Sequence, residues 1–183
     1  KVLVLAAEIA HYHKINTYII GGVVRDLVLG TESKDIDFVV DGDGINFANL
    51  LAQKLSKDLK VNVFKTFGTA HFCYQNYNYE FVGARKESYQ FDSRNPIVNI
   101  GSIDEDRLRR DFTINALSIS LNKEDLGQLI DPFDGIGDLK KKIIKTPLDP
   151  LTTFNDDPLR MLRAIRFAAK LNFTIDKNCL SAI

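Results

Sequence analysis

Asp35 and Asp37 stand two residues apart in Lys34-Asp35-Ile36-Asp37-Phe38-Val39-Val40, a run whose β-branched and aromatic residues predict a strand. Alternate strand residues share a face, so the two carboxylates project together with Cα atoms roughly 6–7 Å apart. Ile36, Phe38 and Val40 then take the opposite, buried face. Oxygen donors at that spacing can hold hard divalent cations that a nucleoside triphosphate also ligates. A bare Asp-x-Asp is more often the polar face of an edge strand. Here it follows Gly21-Gly22 and Arg25, and these shift the balance. A diglycine turn between strand and helix lets backbone approach an anion, and the amides at the helix start favour phosphate. Arg25 can grip the same phosphates through its planar fork.

Two further segments carry charge at suggestive spacing. Arg107, Arg109, Arg110 and Asp111 sit together, and the ordinary reading of such a cluster is a solvated helix face with internal ion pairs. Asn115 falls among apolar residues, where a polar group needs a partner, so it ties helix to strand. Further on, Arg160, Arg163 and Arg166 recur at steps of three, which spreads them over roughly 120° of a helix surface. Asp157 precedes Arg160 by one turn. A carboxylate acceptor beside a guanidinium donor can read the hydrogen-bonding edge of a nucleobase. It can equally be a local ion pair at a helix start, and the segment by itself supports both.

The surrounding pattern supplies the elements that must position these groups. Residues 2–14 read as an apolar-rich helix, 17–20 as a strand, 23–29 as a short helix closed by Gly30, and 35–40 as the carboxylate strand. Ile45, Ala48, Ala52, Leu55 and Leu59 form one helical stripe. Strands are expected near 61–66, 70–75 and 77–83, with Cys73 in a buried strand. The polar stretch 85–101 reads as a mobile loop. Ser102 with Glu105 is a capping-box signature for a helix running to about Ala116. A hairpin follows at 117–121 and 128–130, then a turn at 131–135 and a last short strand at 143–145. Past Pro147 the pattern is purely helical, with Pro158 at the first position of a helix whose stripe is Met161, Ala164, Ala168 and Leu171.

The 183 residues suffice for one sizeable core and a smaller appendage. Lys plus Arg and Asp plus Glu number 24 each, which argues against a basic nucleic-acid footprint over the whole surface while allowing a local one. No apolar run approaches membrane-spanning length, and no secretory signal opens the sequence. Cys73 and Cys179 suggest neither a disulfide framework nor a zinc site, which points to a reducing cytoplasm. His11 and His13 flank Tyr12 as surface residues. The sequence starts at Lys1 rather than Met and stops at an apparent helix start, so it reads as a fragment.

Five segments in order resemble the head and neck of the class II tRNA nucleotidyltransferase (CCA-adding) and bacterial poly(A) polymerase family. They are Gly21-Gly22-Val23-Val24-Arg25-Asp26; Asp35-Ile36-Asp37; Arg109-Arg110-Asp111-Phe112-Thr113-Ile114-Asn115-Ala116; Asp131-Pro132-Phe133-Asp134-Gly135-Ile136-Gly137-Asp138-Leu139; and 157–167, from Asp157-Pro158 through Arg160, Arg163 and Arg166 to Phe167. The resemblance implies an α/β, polymerase-β-like head over 1–145, a mixed sheet with helices, followed by a small all-helical neck over 146–183. It implies Mg²⁺ (or Mn²⁺) held by Asp35 and Asp37, with Glu80 as the third carboxylate. Gly21, Gly22, Arg25 and Arg110 are then nucleotide contacts, and Asp157 and Arg160 read cytosine or adenine without a template. Arg163 and Arg166 orient that reader and bind phosphate or ribose. Where the family usually has Glu-Asp before the proline, this chain has Asp156-Asp157. The body and tail that supply most of the RNA grip lie outside this sequence.

The expected activity is addition of CMP and AMP, from CTP and ATP, to the 3′ end of tRNA or another RNA. A poly(A) polymerase using ATP alone shares every motif above. A small-molecule nucleotidyltransferase is opposed by the neck arginines, and an RNA-binding module without chemistry by the survival of both Asp35 and Asp37.

Overall fold

The computed structural model describes residues 1–88 and 97–183. In chain order it begins with α1 (Val2–His13), β1 (Thr17–Ile20), α2 (Gly22–Val28), β2 (Asp35–Val40), α3 (Gly44–Leu55), β3 (Asn62–Phe64), β4 (Thr69–Tyr74) and β5 (Tyr77–Gly83). It continues with β6 (Arg85–Ser88), β7 (Ile97–Ile100), α4 (Ile103–Leu108), β8 (Ser118–Ser120), β9 (Leu129–Ile130), α5 (Gly135–Lys141) and β10 (Ile143–Ile144). It closes with α6 (Pro150–Asp156), α7 (Leu159–Leu171), β11 (Thr174–Ile175) and α8 (Lys177–Ala182). These fall into two compact units, Lys1–Ala84 with Ser118–Ile130, and Arg85–Leu117 with Asp131–Ile183. The partition differs from a single division at 145, because 85–117 groups with the segment after Asp131.

The first unit is built on a seven-stranded sheet in the order β3-β4-β5-β2-β1-β8-β9. Only β2 and β5 run parallel; every other neighbouring pair is antiparallel. One face is aromatic. Phe38 stacks on Phe81 with centroids 4.6 Å apart, and Phe72, Tyr79 and Phe47 close around them. α3 covers this face with Phe47, Ala48, Leu51 and Ala52. Its N-terminus is capped by the Asp43 carboxylate, which accepts from the Ile45 and Asn46 amides at 2.9 and 3.1 Å. Four of the five expected stripe residues lie on α3; the helix ends at Leu55, so Leu59 lies beyond it. Ser56 is extended there, its hydroxyl accepting from the Asp58 amide at 3.3 Å, a local turn that competes with helix. Cys73 is exposed rather than buried: it sits on β4, on the face opposite the buried Ala70 and Phe72.

In the second unit the expected loop at 85–101 is partly a hairpin, with β6 antiparallel to β7 and Arg85 opposite Ile100. Residues 89–96, and the mobility expected of them, lie outside the described residues. The capping box forms as the sequence requires: the Ser102 hydroxyl accepts from the Glu105 amide at 3.2 Å and the Glu105 carboxylate from the Ser102 amide at 2.9 Å. The helix stops at Leu108, however, not near Ala116. Asp111 draws off the Phe112 amide at 2.9 Å, and Thr113 donates its own to the Lys145 carbonyl at 2.8 Å, so the bonds that would continue the helix go elsewhere. Gly135 is needed at its position, because a Cβ there would meet the Thr113 carbonyl oxygen at 2.6 Å. Asp131 caps this start by accepting from the Gly135 and Ile136 amides at 2.7 and 2.9 Å. The segment after Pro147 is helical except for β11, which pairs in parallel with β10.

Candidate active site

The carboxylate strand forms as its alternation requires. β2 presents Asp35, exposed, and Asp37, half-buried, on one face, while Phe38 is fully buried on the other. In register, Asp37 lies beside Glu80 of β5 and Asp35 beside Asn78, so Glu80, which is exposed, shares their face. On the other flank Asp37 lies opposite Ile20, the last residue of β1, and the diglycine turn follows at once. Gly21 caps α2 at φ 83° and ψ −132°, a conformation that any side chain would strain. A Cβ added at Gly22 would meet nothing nearer than Arg25 Nη2 at 3.6 Å, so the chain's own packing does not demand a glycine there. That bare backbone, with a guanidinium against it, suits close approach of an anion. Arg25 is only 4% exposed, and its Nε and Nη2 both reach Asp26 Oδ1, at 2.8 and 2.7 Å. Nearby, Tyr77 donates to Glu32 at 2.8 Å, and this bond with the carboxylate charge raises the phenol above its ordinary value.

Asp35 and Asp37 are hard oxygen donors of the kind Mg²⁺ takes together with triphosphate oxygens, so the donor set fits such an ion. Among the described residues no three His, Cys, Asp or Glu side chains converge to hold a metal by themselves. Glu80 is thus aligned with the pair without completing a ready-made cage among the described residues.

In the second unit Arg107, Arg109 and Arg110 form the expected internal ion pairs but not a solvated face. Asp106 is fully buried and takes Arg109 through Nε and Nη2 at 3.0 and 2.6 Å, and Arg110 through Nη2 at 3.1 Å. Arg110 also donates to the Asn115 carbonyl at 3.4 Å. Asp111, buried, accepts from Arg163 Nε at 2.7 Å and from Asn115 Nδ2 at 3.0 Å, so Asn115 is tied back to the bend that follows α4. Along α7, burial of the arginines falls stepwise: Arg160 is 8% exposed, Arg163 half-buried, Arg166 exposed. Arg160 donates to the Thr153 carbonyl at 3.3 Å and the Arg109 carbonyl at 2.9 Å, which hold its guanidinium in one orientation. Arg163 and Arg166 both lie over the Phe167 ring, 5.4 and 5.3 Å from its centroid. Asp157 lies between α6 and α7, half-buried, with its carboxylate accepting from the Leu159 amide at 3.0 Å.

Two residues outside the sequence reading matter here. Asp106 was legible as the partner of Arg109 and Arg110 at i, i+3 and i, i+4, but not its complete burial. Asn78 shares a strand face with Glu80 and donates to Asp35 Oδ1 at 2.7 Å. Strand alternation alone would have put it beside the carboxylates.

Residues 17–145 match the poly A polymerase head domain family. The A-adding tRNA nucleotidyltransferase of Aquifex aeolicus (strain VF5) is 48% identical over 164 residues, covering 90% of this chain and 19% of that protein. The CCA-adding enzyme of Levilactobacillus brevis is 39% identical over 168 residues, covering 91% of this chain and 40% of that one. A tRNA nucleotidyltransferase solved with a primer tRNA and an incoming ATP analog superposes with a TM-score of 0.83 at 42% identity, over 97% of this chain and 48% of its own. The chain therefore spans less than half the length of each of these proteins. The mixed sheet with its helices is the polymerase-β-like nucleotidyltransferase head, and the chain belongs to the family of the class II tRNA nucleotidyltransferases and poly(A) polymerases.

Proposed function

We propose that this chain is the catalytic head, over 1–145, and the neck, over 146–183, of an enzyme that adds CMP and AMP to the 3′ end of tRNA without a template. The observation that carries the reading is the common face of Asp35 and Asp37 on β2, with the Gly21-Gly22 turn beginning one residue past the strand pair Ile20 and Asp37. Asp35 and Asp37 would hold Mg²⁺ or Mn²⁺, and the bound ion supplies charge neutralisation to the triphosphate and to the attacking hydroxyl. Glu80 offers a third carboxylate on the neighbouring strand. Gly21 and Gly22 admit the phosphates to the backbone, and Arg25, held by Asp26, offers them a fixed positive charge. Arg110, held by Asp106 in the second unit, is a further nucleotide contact.

Base choice falls to Asp157 and Arg160. Cytosine and adenine each present an amino donor next to a ring-nitrogen acceptor, which a carboxylate and a guanidinium complement. Arg163 and Arg166 orient that reader and serve phosphate or ribose. The setting in this reading is the cytoplasm. Among the described residues no helix is long and apolar enough to cross a membrane.

The test is nucleotide addition by the full-length protein, with labelled CTP or ATP and tRNA transcripts ending before or within CCA. Incorporation that a folded Asp37→Ala protein lacks is the expected result. Incorporation retained by that variant rejects the reading. A second reading, addition of AMP alone, is favoured by the A-adding relative from Aquifex aeolicus. Incorporation of ATP but not CTP would select it.

A further inference from the structure

The carboxylate face carries more than its acids. In register, Cys73 of β4 lies opposite Asn78 of β5, and Asn78 lies beside Asp35 of β2, so the three occupy one line across three strands. Their side chains bond along it. Asn78 Nδ2 donates to Asp35 Oδ1 at 2.7 Å, and Asn78 Oδ1 accepts from the Cys73 thiol at 3.0 Å. His71 Nε2 stands 3.7 Å from the same sulfur.

An amide has a donor end and an acceptor end, and here each meets its complement. Turned over, it would set Oδ1 against the Asp35 carboxylate, oxygen to oxygen, and leave two donors facing the thiol. The Cys73 S–H therefore favours the same orientation that Asp35 does. Asp35 is exposed, and an exposed carboxylate rotates freely unless something anchors it. The bond from Asn78 anchors one of its two oxygens.

We infer that Cys73, Asn78 and Asp35 form a relay in which Asn78 is a positioning residue for the Asp35 carboxylate and the Cys73 thiol holds the Asn78 amide in the orientation that does so. The inference rests on the reading of Asp35 as a cation ligand given above. Losing a partner that orients a metal ligand typically costs about 10–100-fold in metal affinity. Cys73 is reachable by a small thiol reagent, whereas Cys179 is fully buried. With methyl methanethiosulfonate, the Cys73 thiolate attacks the reagent's divalent sulfur and methanesulfinate leaves. The product is Cys73–S–S–CH₃, and the thiol proton goes to solvent. The adduct has no S–H to donate to Asn78 Oδ1 and adds bulk beside it.

The experiment titrates Mn²⁺ into the protein with α,β-methylene ATP, reading free Mn²⁺ by electron paramagnetic resonance, and follows the Asn78 side-chain amide by NMR without metal. Asn78→Ala should weaken Mn²⁺ binding about 10-fold with an unchanged melting temperature. Cys73→Ser keeps a donor and should bind as wild type, while Cys73→Ala should lose about 2–3-fold. The thiol reagent should weaken wild type at least as much as Cys73→Ala does, and leave Cys73→Ser unaffected. Wild-type Mn²⁺ affinity in Asn78→Ala, alongside loss in Asp35→Ala, overturns the relay and leaves the reading of Asp35 standing. Wild-type affinity in Asp35→Ala overturns both. Asn78 amide resonances that do not move when Cys73 alone is modified overturn the relay whatever Asp35 does.

Discussion

The carboxylate strands of the first unit and the arginine network of the second treat charge in opposite ways. In the first, Asp35 and Glu80 stand exposed along a sheet face, at spacings set by backbone pairing. In the second, Asp106 is fully buried under two arginines, Asp111 takes Arg163 and Asn115, and Arg160 is fixed to two carbonyls. An exposed carboxylate line leaves electrostatic work for a ligand to finish. A buried ion-pair network is already satisfied, and its large desolvation cost is offset only while every partner remains. The first arrangement suits chemistry that begins when metal and substrate arrive. The second suits a reader whose shape must exist beforehand.

This contrast breaks most visibly at Asp37. Asp37→Ala in the full-length protein should lower nucleotide addition about 10³-fold or more, the scale of losing a principal electrostatic stabiliser. Its melting temperature should stay near wild type, because the half-buried side chain lies on the face of β2 opposite the aromatic core. Circular dichroism and labelled-nucleotide incorporation on the same preparation separate the two. A variant that melts early would show the carboxylate face to be structural, and the contrast would fail.

Asp106 should behave in the reverse sense. Asp106→Ala leaves Arg109 and Arg110, each with a side chain only 17% exposed, without their shared counter-charge. Breaking a buried ionic network in this way costs about 3–5 kcal/mol. Denaturant unfolding with tryptophan-free detection by circular dichroism should show it, since the chain has no Trp. An unfolding midpoint equal to wild type would mean that the network adds nothing, and that the second unit's order comes from its apolar contacts.

What the sequence made legible follows the same line. The exposed site was readable because strand alternation is a rule of period two: Lys34 to Val40 assigns Asp35 and Asp37 to one face and Phe38 to the other without knowledge of any neighbour. The rule also held for Tyr79 and Phe81 on β5. It was misapplied at Cys73, whose neighbours Phe72 and Ala70 mark the buried parity, and which therefore faces outward. The buried network was less legible. Ser102 and Glu105 announced where α4 starts, because a capping box is local. Its end at Leu108 depends on Lys145, whose carbonyl takes the Thr113 amide from 32 positions away, and no local signal carries that. The strand pairing of β10 with β11 is equally non-local, so two residues of a helical segment became strand.

Base selection tests the proposal that the second unit's ordered side chains read the base. Asp157→Ala should relax discrimination against UTP and GTP by about 1–3 kcal/mol, the cost of one mismatched polar group in a desolvated site. Uracil and guanine present a carbonyl oxygen and a ring N–H where cytosine and adenine present the amino group and ring nitrogen, so loss of the acceptor removes the penalty. The measurement is kcat/KM for each of the four nucleotides, together with the Mn²⁺ affinity of the first unit, which should not change. Retention of full preference for CTP and ATP would move base reading away from Asp157 and with it the functional meaning of the second unit's order.

The smallest effect sharpens the comparison at its structural root. The Ser102 cap holds the first turn of α4, the element that carries Asp106. Its hydroxyl accepts from the Glu105 amide, and the Glu105 carboxylate returns a bond to the Ser102 amide. Ser102→Ala removes one half of this reciprocal pair and exposes one helix amide to water, for about 1 kcal/mol. Ser102→Asp keeps an acceptor at the cap, places negative charge at the helix start, and should restore most of that loss. Amide hydrogen exchange gives the site-resolved answer: in Ser102→Ala, protection should fall across 103–108 and remain at wild-type values in β2 and β5. Equal loss of protection in β2 would mean that the carboxylate strand depends on the buried network for its order, and that the two ways of handling charge are one cooperative device.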